Sequence, residues 1–119
     1  MIEPNYIYRA ISARVVDGDT LDCDVDVGFH LTARLRLRLN RINTYELTAK
    51  DPAIRALALE GASLTGSVVP PGTACVIQTT KADAFGRYLA EVWYVDASGA
   101  QVNLNDRLLA SGLAVLYKR

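Results

Sequence analysis

Arg34-Leu35-Arg36-Leu37-Arg38-Leu39-Asn40-Arg41-Ile42-Asn43-Thr44-Tyr45-Glu46 is the stretch on which the fold turns. Up to Asn40 it alternates strictly, with Leu35, Leu37 and Leu39 on one face and Arg34, Arg36 and Arg38 on the other. A period of two belongs to a β-strand with one buried and one wet face. The alternation then fails, and an amide, a hydroxyl and a carboxylate follow at Asn43, Thr44 and Glu46. Polar groups at the end of a stiff strand are held in fixed positions, which is what a reactive site requires.

Upstream, Tyr6 to Val16 reads as a first strand and Asp17-Gly18 as the signal of a two-residue type I′ hairpin turn. Asp19 to Val27 is a second strand, with Leu21, Cys23, Val25 and Val27 alternating with Asp22, Asp24 and Asp26. With Gly28-Phe29-His30 as the next loop, residues whose numbers sum to 58 pair across strands two and three. This register sets Asp24 opposite Arg34, Asp22 opposite Arg36 and Cys23 opposite Leu35. Arg34 and Arg36 are then rungs of a solvated charge ladder. Arg38 falls opposite Thr20, past the last aspartate, and receives no carboxylate from that ladder.

Downstream, Asp51-Pro52 supplies an N-cap and a first-turn proline for a helix. Ile54, Leu57, Gly61, Leu64 and Val68 follow at helical spacing as its core-facing stripe. Pro70-Pro71-Gly72 stops the helix. Thr73 to Gln78 reads as a fourth strand, Thr79 to Gly86 as a polar loop, and Arg87 to Val95 as a fifth strand. Asn103 or Asn105 caps a short helix that turns Leu108 and Leu109 inward and is closed by Gly112. An extended piece, Leu113 to Tyr117, follows. Three meandering strands, a helix, two strands and a short C-terminal helix match the plan of a five-stranded OB-fold barrel, mainly β with helices (α+β), as one domain over residues 1–119.

The 119 residues balance thirteen basic against thirteen acidic side chains. A formal charge of zero argues against a general polyanion binder but leaves room for a local basic site. Half the residues are hydrophobic, which argues against a disordered chain. Cys23 and Cys75 are isolated in apolar strand patterns and read as buried free thiols. Met1-Ile2-Glu3-Pro4-Asn5 lacks a basic leader and no apolar run reaches spanning length, so a cytoplasmic setting without membrane contact is expected.

Three places collect groups able to do chemistry: Asp17-Gly18-Asp19-Thr20, the segment from Arg38 to Glu46, and Asp83-Ala84-Phe85-Gly86-Arg87. The register brings the first two together, since Thr20 lies near Arg38. No local pattern brings Arg87 to them. Taken singly, each has a plainer reading: a turn, a solvated loop acid, an exposed strand arginine.

In combination, Val16 to Thr20, Arg38 to Glu46, Phe85 to Ala90 and Val102 to Ala114 resemble the staphylococcal nuclease (thermonuclease-like) family. The resemblance covers Tyr8 to about Tyr117. It implies a calcium-dependent phosphodiesterase that acts on DNA and RNA and leaves 3′-phosphates. It further implies Ca2+ held by Asp19, Asn43 and the Thr44 carbonyl, with Arg38, Arg87 and Glu46 as the catalytic groups. Hard oxygen ligands suit calcium, guanidiniums suit the charge gathering on phosphoryl oxygens, and a placed carboxylate suits a water nucleophile. Phe85 and Tyr117 are implied as substrate contacts.

The sequence departs from the family where Asn43 replaces an aspartate, Tyr45 a proline and Phe85 a tyrosine. Asn43 and Phe85 also fit an OB-type module that binds single-stranded nucleic acid or a protein without cleaving. Secreted members add a further helix after the position of Arg119; without it, a barrel face left apolar would be covered by a second copy, as a homodimer.

Overall fold

A computed structural model describes residues 1–82 and 86–117. The elements run in the order β1 (Ile7–Asp17), β2 (Thr20–Gly28), β3 (Leu31–Leu39), β4 (Ile42–Thr44), α1 (Pro52–Val68), β5 (Ala74–Ala82), β6 (Tyr88–Val95), β7 (Gln101–Asn103), α2 (Leu104–Ala110) and β8 (Ala114–Leu116). One sheet has the order β3-β2-β1-β5-β6-β7. It closes on itself because the end of β3 pairs in parallel with the start of β6, Leu37 with Tyr88, Arg38 with Leu89 and Leu39 with Ala90. The result is a five-stranded OB-type barrel of β1, β2, β3, β5 and β6, with α1 inserted between its third and fourth strands. Among the described residues no helix is long and apolar enough to cross a membrane.

The alternation in β2 and β3 produces the expected register. Thr20 lies opposite Arg38, Asp22 opposite Arg36, Cys23 opposite Leu35 and Asp24 opposite Arg34. Both outer arginines make forked bonds, Arg34 to Asp24 from 2.5 Å and Arg36 to Asp22 from 2.7 Å. These pairs stand in solvent and serve register more than stability. The inward residues Leu21, Cys23, Val25, Leu37 and Leu39 join Ile42, Ile77, Val92, Leu104 and Leu108 in one core, and Cys23 and Cys75 are buried free thiols within it.

Two local expectations are corrected. The turn between β1 and β2 is not type I′, because neither Gly18 nor Asp19 has positive φ. That geometry appears instead in the next hairpin, where Phe29 and His30 have φ of 58° and 60°. Gly18 is needed for space: a Cβ there would stand 3.0 Å from the Gly61 carbonyl carbon and 3.0 Å from Thr44 Cγ2. The second is a shift in the inward stripe of α1, in which Leu57, Gly61, Leu64 and Val68 do face the core as expected. Asp51 caps the helix as expected, accepting from the Ala53 N–H at 2.9 Å. Its deepest residues, however, are the small Ala58, Gly61 and Thr65, with Leu57, Leu64 and Val68 packed beside them. Small side chains let the helix press against the β1–β2 turn, where Thr65 Oγ1 donates to Gly18 O at 2.7 Å.

The C-terminal region resolves an open choice. Asn103 caps α2 by accepting from the Asp106 N–H at 2.8 Å. Asn105 is fully buried and bridges strands: its amide donates to Asn40 O (2.9 Å) and Ala90 O (3.0 Å) and accepts from the Val92 N–H (3.2 Å). The extended piece after α2 pairs with β4, Asn43 opposite Val115 and Thr44 opposite Ala114. β4 begins within the polar segment that follows the arginine row, so this pairing braces Asn43 and Thr44 from behind.

Candidate active site

Asp19 leaves the β1–β2 turn buried at 7 % exposure, and Arg38 near the end of β3 is equally buried. Their side chains meet at 3.0 Å, Arg38 Nη2 to Asp19 Oδ2. Arg38 therefore has a carboxylate after all, from the turn beside the ladder. The same guanidinium donates through Nη1 to Leu39 O (3.1 Å) and Ile42 O (3.2 Å) and through Nη2 to Asn43 Oδ1. Asp19 also accepts from the Thr44 N–H at 2.9 Å and from Thr20 Oγ1 at 3.1 Å. Asp19, Arg38, Asn43 and Thr44 thus form one bonded group in the wall of the barrel.

This group lines a cleft of about 720 Å³ whose other walls include Asp17, Glu46, Ile54 and Arg87. Glu46 sits on the exposed side, in a short turn closed by the Ala49 N–H to Glu46 O bond at 3.2 Å. Arg87, part-buried, precedes β6 by one residue and is carried to the cleft by the parallel β3–β6 pairing. Of the residues singled out in the sequence, Asp19, Arg38, Asn43, Thr44, Glu46 and Arg87 therefore share one cleft. Tyr117 does not line it; its N–H donates to Arg41 O at 2.8 Å at the far end of β8. Phe85 lies outside the described residues.

Two residues within these segments, to which the sequence assigns no role, also shape the site. Asp17 stands beside Asp19 and accepts from the Asp19 N–H at 3.1 Å. Its spacing two residues before Asp19 across a tight turn was the available signal. Arg41, in the left-handed region at φ 70°, anchors the β3–β4 corner: it makes a forked pair with Glu91 (2.5 and 3.0 Å) and reaches Asp106 at 2.9 Å. No local pattern marks it, because its partners are fifty and sixty-five residues away.

The two aspartates titrate apart. Burial, reinforced by a hydrogen bond with Asp19 and by its charge, pushes the Asp17 carboxyl up to about 6. Burial opposes ionisation of Asp19 as well, but the bond from Asp17, the Arg38 charge and the Thr44 N–H together hold it below the usual carboxylate range. A raised folded-state value stabilises the fold below the unfolded value of 3.8, and that contribution is lost as pH rises towards 6. Asp17→Asn is expected to flatten the fall in stability over this window and to add about 1 kcal/mol near neutral pH, after discounting for partial solvation. Urea denaturation from pH 4 to pH 7 checks it; an unchanged slope refutes it. The Asp19 contribution has the opposite sign and is lost only on acidification below the ordinary aspartate range.

The oxygen-bearing side chains that line the cleft are Asp17, Asp19, Asn43, Thr44, Tyr45, Glu46 and Thr48, with Asp19 and Asn43 bonded to Arg38. Among the described residues no three acidic, histidine or cysteine side chains gather to hold an ion by themselves. A cation here would need amide and carbonyl oxygens too, a hard and mixed donor set that fits calcium and does not fit a thiolate- or imidazole-seeking metal.

A family model described as staphylococcal nuclease homologue matches residues 36–119, more than half of the chain. The match opens inside β3 and takes in Arg38, Asn43, Thr44, Glu46 and Arg87, while Asp17 and Asp19 precede it. No curated protein sequence matches the chain.

Proposed function

Because the chain belongs to the staphylococcal nuclease homologue family, we propose that it is a calcium-dependent phosphodiesterase that cleaves DNA or RNA by attack of water on phosphorus, leaving 3′-phosphates. The observation that carries this reading is the sharing of one cleft by Asp19, Arg38, Glu46 and Arg87 from three separated segments. Asp19, Asn43 and the Thr44 carbonyl would hold the ion. Calcium supplies positive charge against the phosphoryl oxygens when bound.

The protein's own groups do the rest. Arg87 offers paired N–H donors from the mouth of the cleft to the phosphate as negative charge builds on its non-bridging oxygens. Arg38 adds a second cationic group from the wall while keeping Asp19 ionised. Glu46, on the solvent side, orients the attacking water and accepts its proton.

The test is digestion of single-stranded DNA and of RNA by the full chain with calcium, with chelator, and with Glu46→Gln. Calcium-dependent cleavage that Glu46→Gln reduces by roughly 100-fold or more is expected. Digestion that survives chelator and the substitution refutes the proposal. One observation favours a second reading, a module that binds single-stranded nucleic acid without cleaving it: Asn43 places a neutral amide where a second anionic ligand would sit, and Arg38 already engages that amide. Asn43→Asp separates the two. It is expected to tighten calcium binding about tenfold, and nucleic-acid binding without turnover in both the parent and this variant would favour the module.

A further inference from the structure

The outer face of the barrel carries a second concavity, at the end of β1 remote from the cleft. Its floor is made by residues that alternate with core positions: Arg9 and Ile11 flank buried Ala10, Ala74 and Val76 flank buried Cys75, and Trp93 and Val95 flank buried Tyr94. The hollow is about 600 Å³, and Asp24, Asp26 and Thr32 of the β2–β3 hairpin form its near rim. Ile11 is 49 % exposed and Val95 64 % exposed. A sheet face of this composition is apolar where an outer face is normally polar.

Three residues beyond the rim, the same hairpin ends in an apolar knob. Val27, Phe29 and Leu31 are all exposed, Phe29 at 93 %. Phe29 and His30 hold left-handed φ values that glycine or asparagine usually occupies. An aromatic ring in that conformation, standing in water, gains nothing within its own chain.

Knob and hollow are adjacent on one surface, which is the condition for a closed two-fold assembly in which each copy offers both halves. The charges agree. Among the described residues neither Arg9 nor Asp26 takes part in an ion pair, although both stand at the hollow and the β1–β2 register sets them opposite one another. A two-fold axis beside the Asp26–Thr32 pair would bring Arg9 of each copy towards Asp26 of the other. We propose that a second copy of this chain covers the hollow, with Phe29 of each copy seated against Trp93 and Ile11 of its mate. The inference does not depend on the catalytic reading of the cleft at the opposite end of the barrel.

Sedimentation velocity of the full chain from about 1 to 500 µM tests it, with a dissociation constant on the order of 10–100 µM expected for a transient pair. Trp93 is the one tryptophan in the sequence, so its emission should shift to the blue across the same range as it loses contact with water. Phe29→Asp should weaken the dimer at least about 100-fold, the expected penalty for charging a central aromatic anchor. With Phe29 almost wholly exposed, the fold should be untouched, as circular dichroism will report. Arg9→Asp should weaken the dimer as well, and Arg9→Asp combined with Asp26→Arg should restore it. A chain that remains monomeric at the top of the range overturns the proposal. So does a dimer indifferent to Phe29→Asp, or a double reversal that recovers nothing lost by the single one.

Discussion

Replacing Arg87 by alanine is expected to lower phosphodiester hydrolysis by roughly 100- to 1,000-fold, the usual consequence of removing one donor to a developing oxyanion. Arg38→Ala should lose at least as much activity, but for a second reason too. Arg38 is the buried partner of Asp19 at 3.0 Å. Its loss leaves a carboxylate inside the barrel wall without its cation, at a cost of about 3–5 kcal/mol, a large share of the stability of a small domain. Arg87 is only partly buried at the cleft mouth, so its truncation should disturb the fold far less.

The two variants thus separate chemistry from scaffold. Denaturation midpoints measured beside single-turnover rates should show both slow and only Arg38→Ala strongly destabilised. Adding Asp19→Asn to Arg38→Ala removes the stranded charge and should recover part of the stability with none of the activity. Equal destabilisation by the two arginine changes would contradict the placement of Arg38.

Gly18→Ala should cost about 1–3 kcal/mol although the new residue is small and the backbone there is unstrained. The added methyl would stand 3.0 Å from the Gly61 carbonyl carbon, 3.0 Å from Thr44 Cγ2 and 3.2 Å from the Ala62 nitrogen. Two of these atoms are helix backbone and cannot turn aside, so either α1 retreats or Thr44 moves. The second response would carry a candidate calcium ligand with it, and calcium affinity should fall along with stability. Gly61→Ala is the control. A Cβ at Gly61 would meet nothing closer than 3.7 Å, and alanine in a helix interior should stabilise by up to about 1 kcal/mol. Thermal melts of the two variants should therefore move in opposite directions. Movement in the same direction would show that the contact between the β1–β2 turn and α1 is looser than the distances imply.

The candidate site is partly legible in the sequence. Asp19, Asn43, Thr44 and Glu46 stand out because they follow a strand or a tight turn, where a polar residue has little to do for packing. Arg38 stands out as the arginine without a ladder carboxylate, and the register bears this out, since it lies opposite Thr20; its actual partner, Asp19, comes from the turn beside the ladder. Asp17 is visible in the sequence as part of the Asp17-Gly18-Asp19-Thr20 segment, but the burial that pushes its carboxyl up is a property of the folded chain.

The sequence by itself determined the pairing of β2 with β3: a side-chain period of two and a short loop leave one register that buries the leucines. It likewise determined where α1 begins, since an aspartate cap and a first-turn proline act within one turn of chain. Only the tertiary structure decided that Arg87 reaches the cleft, through the parallel closure of β3 on β6. Only it decided that Gly18 is required by the approach of α1, and that Arg41 locks the β3–β4 corner through Glu91 and Asp106. Periodicity and capping record forces between near neighbours along the chain. Barrel closure and buried charge pairs depend on groups that become neighbours only once the core has formed.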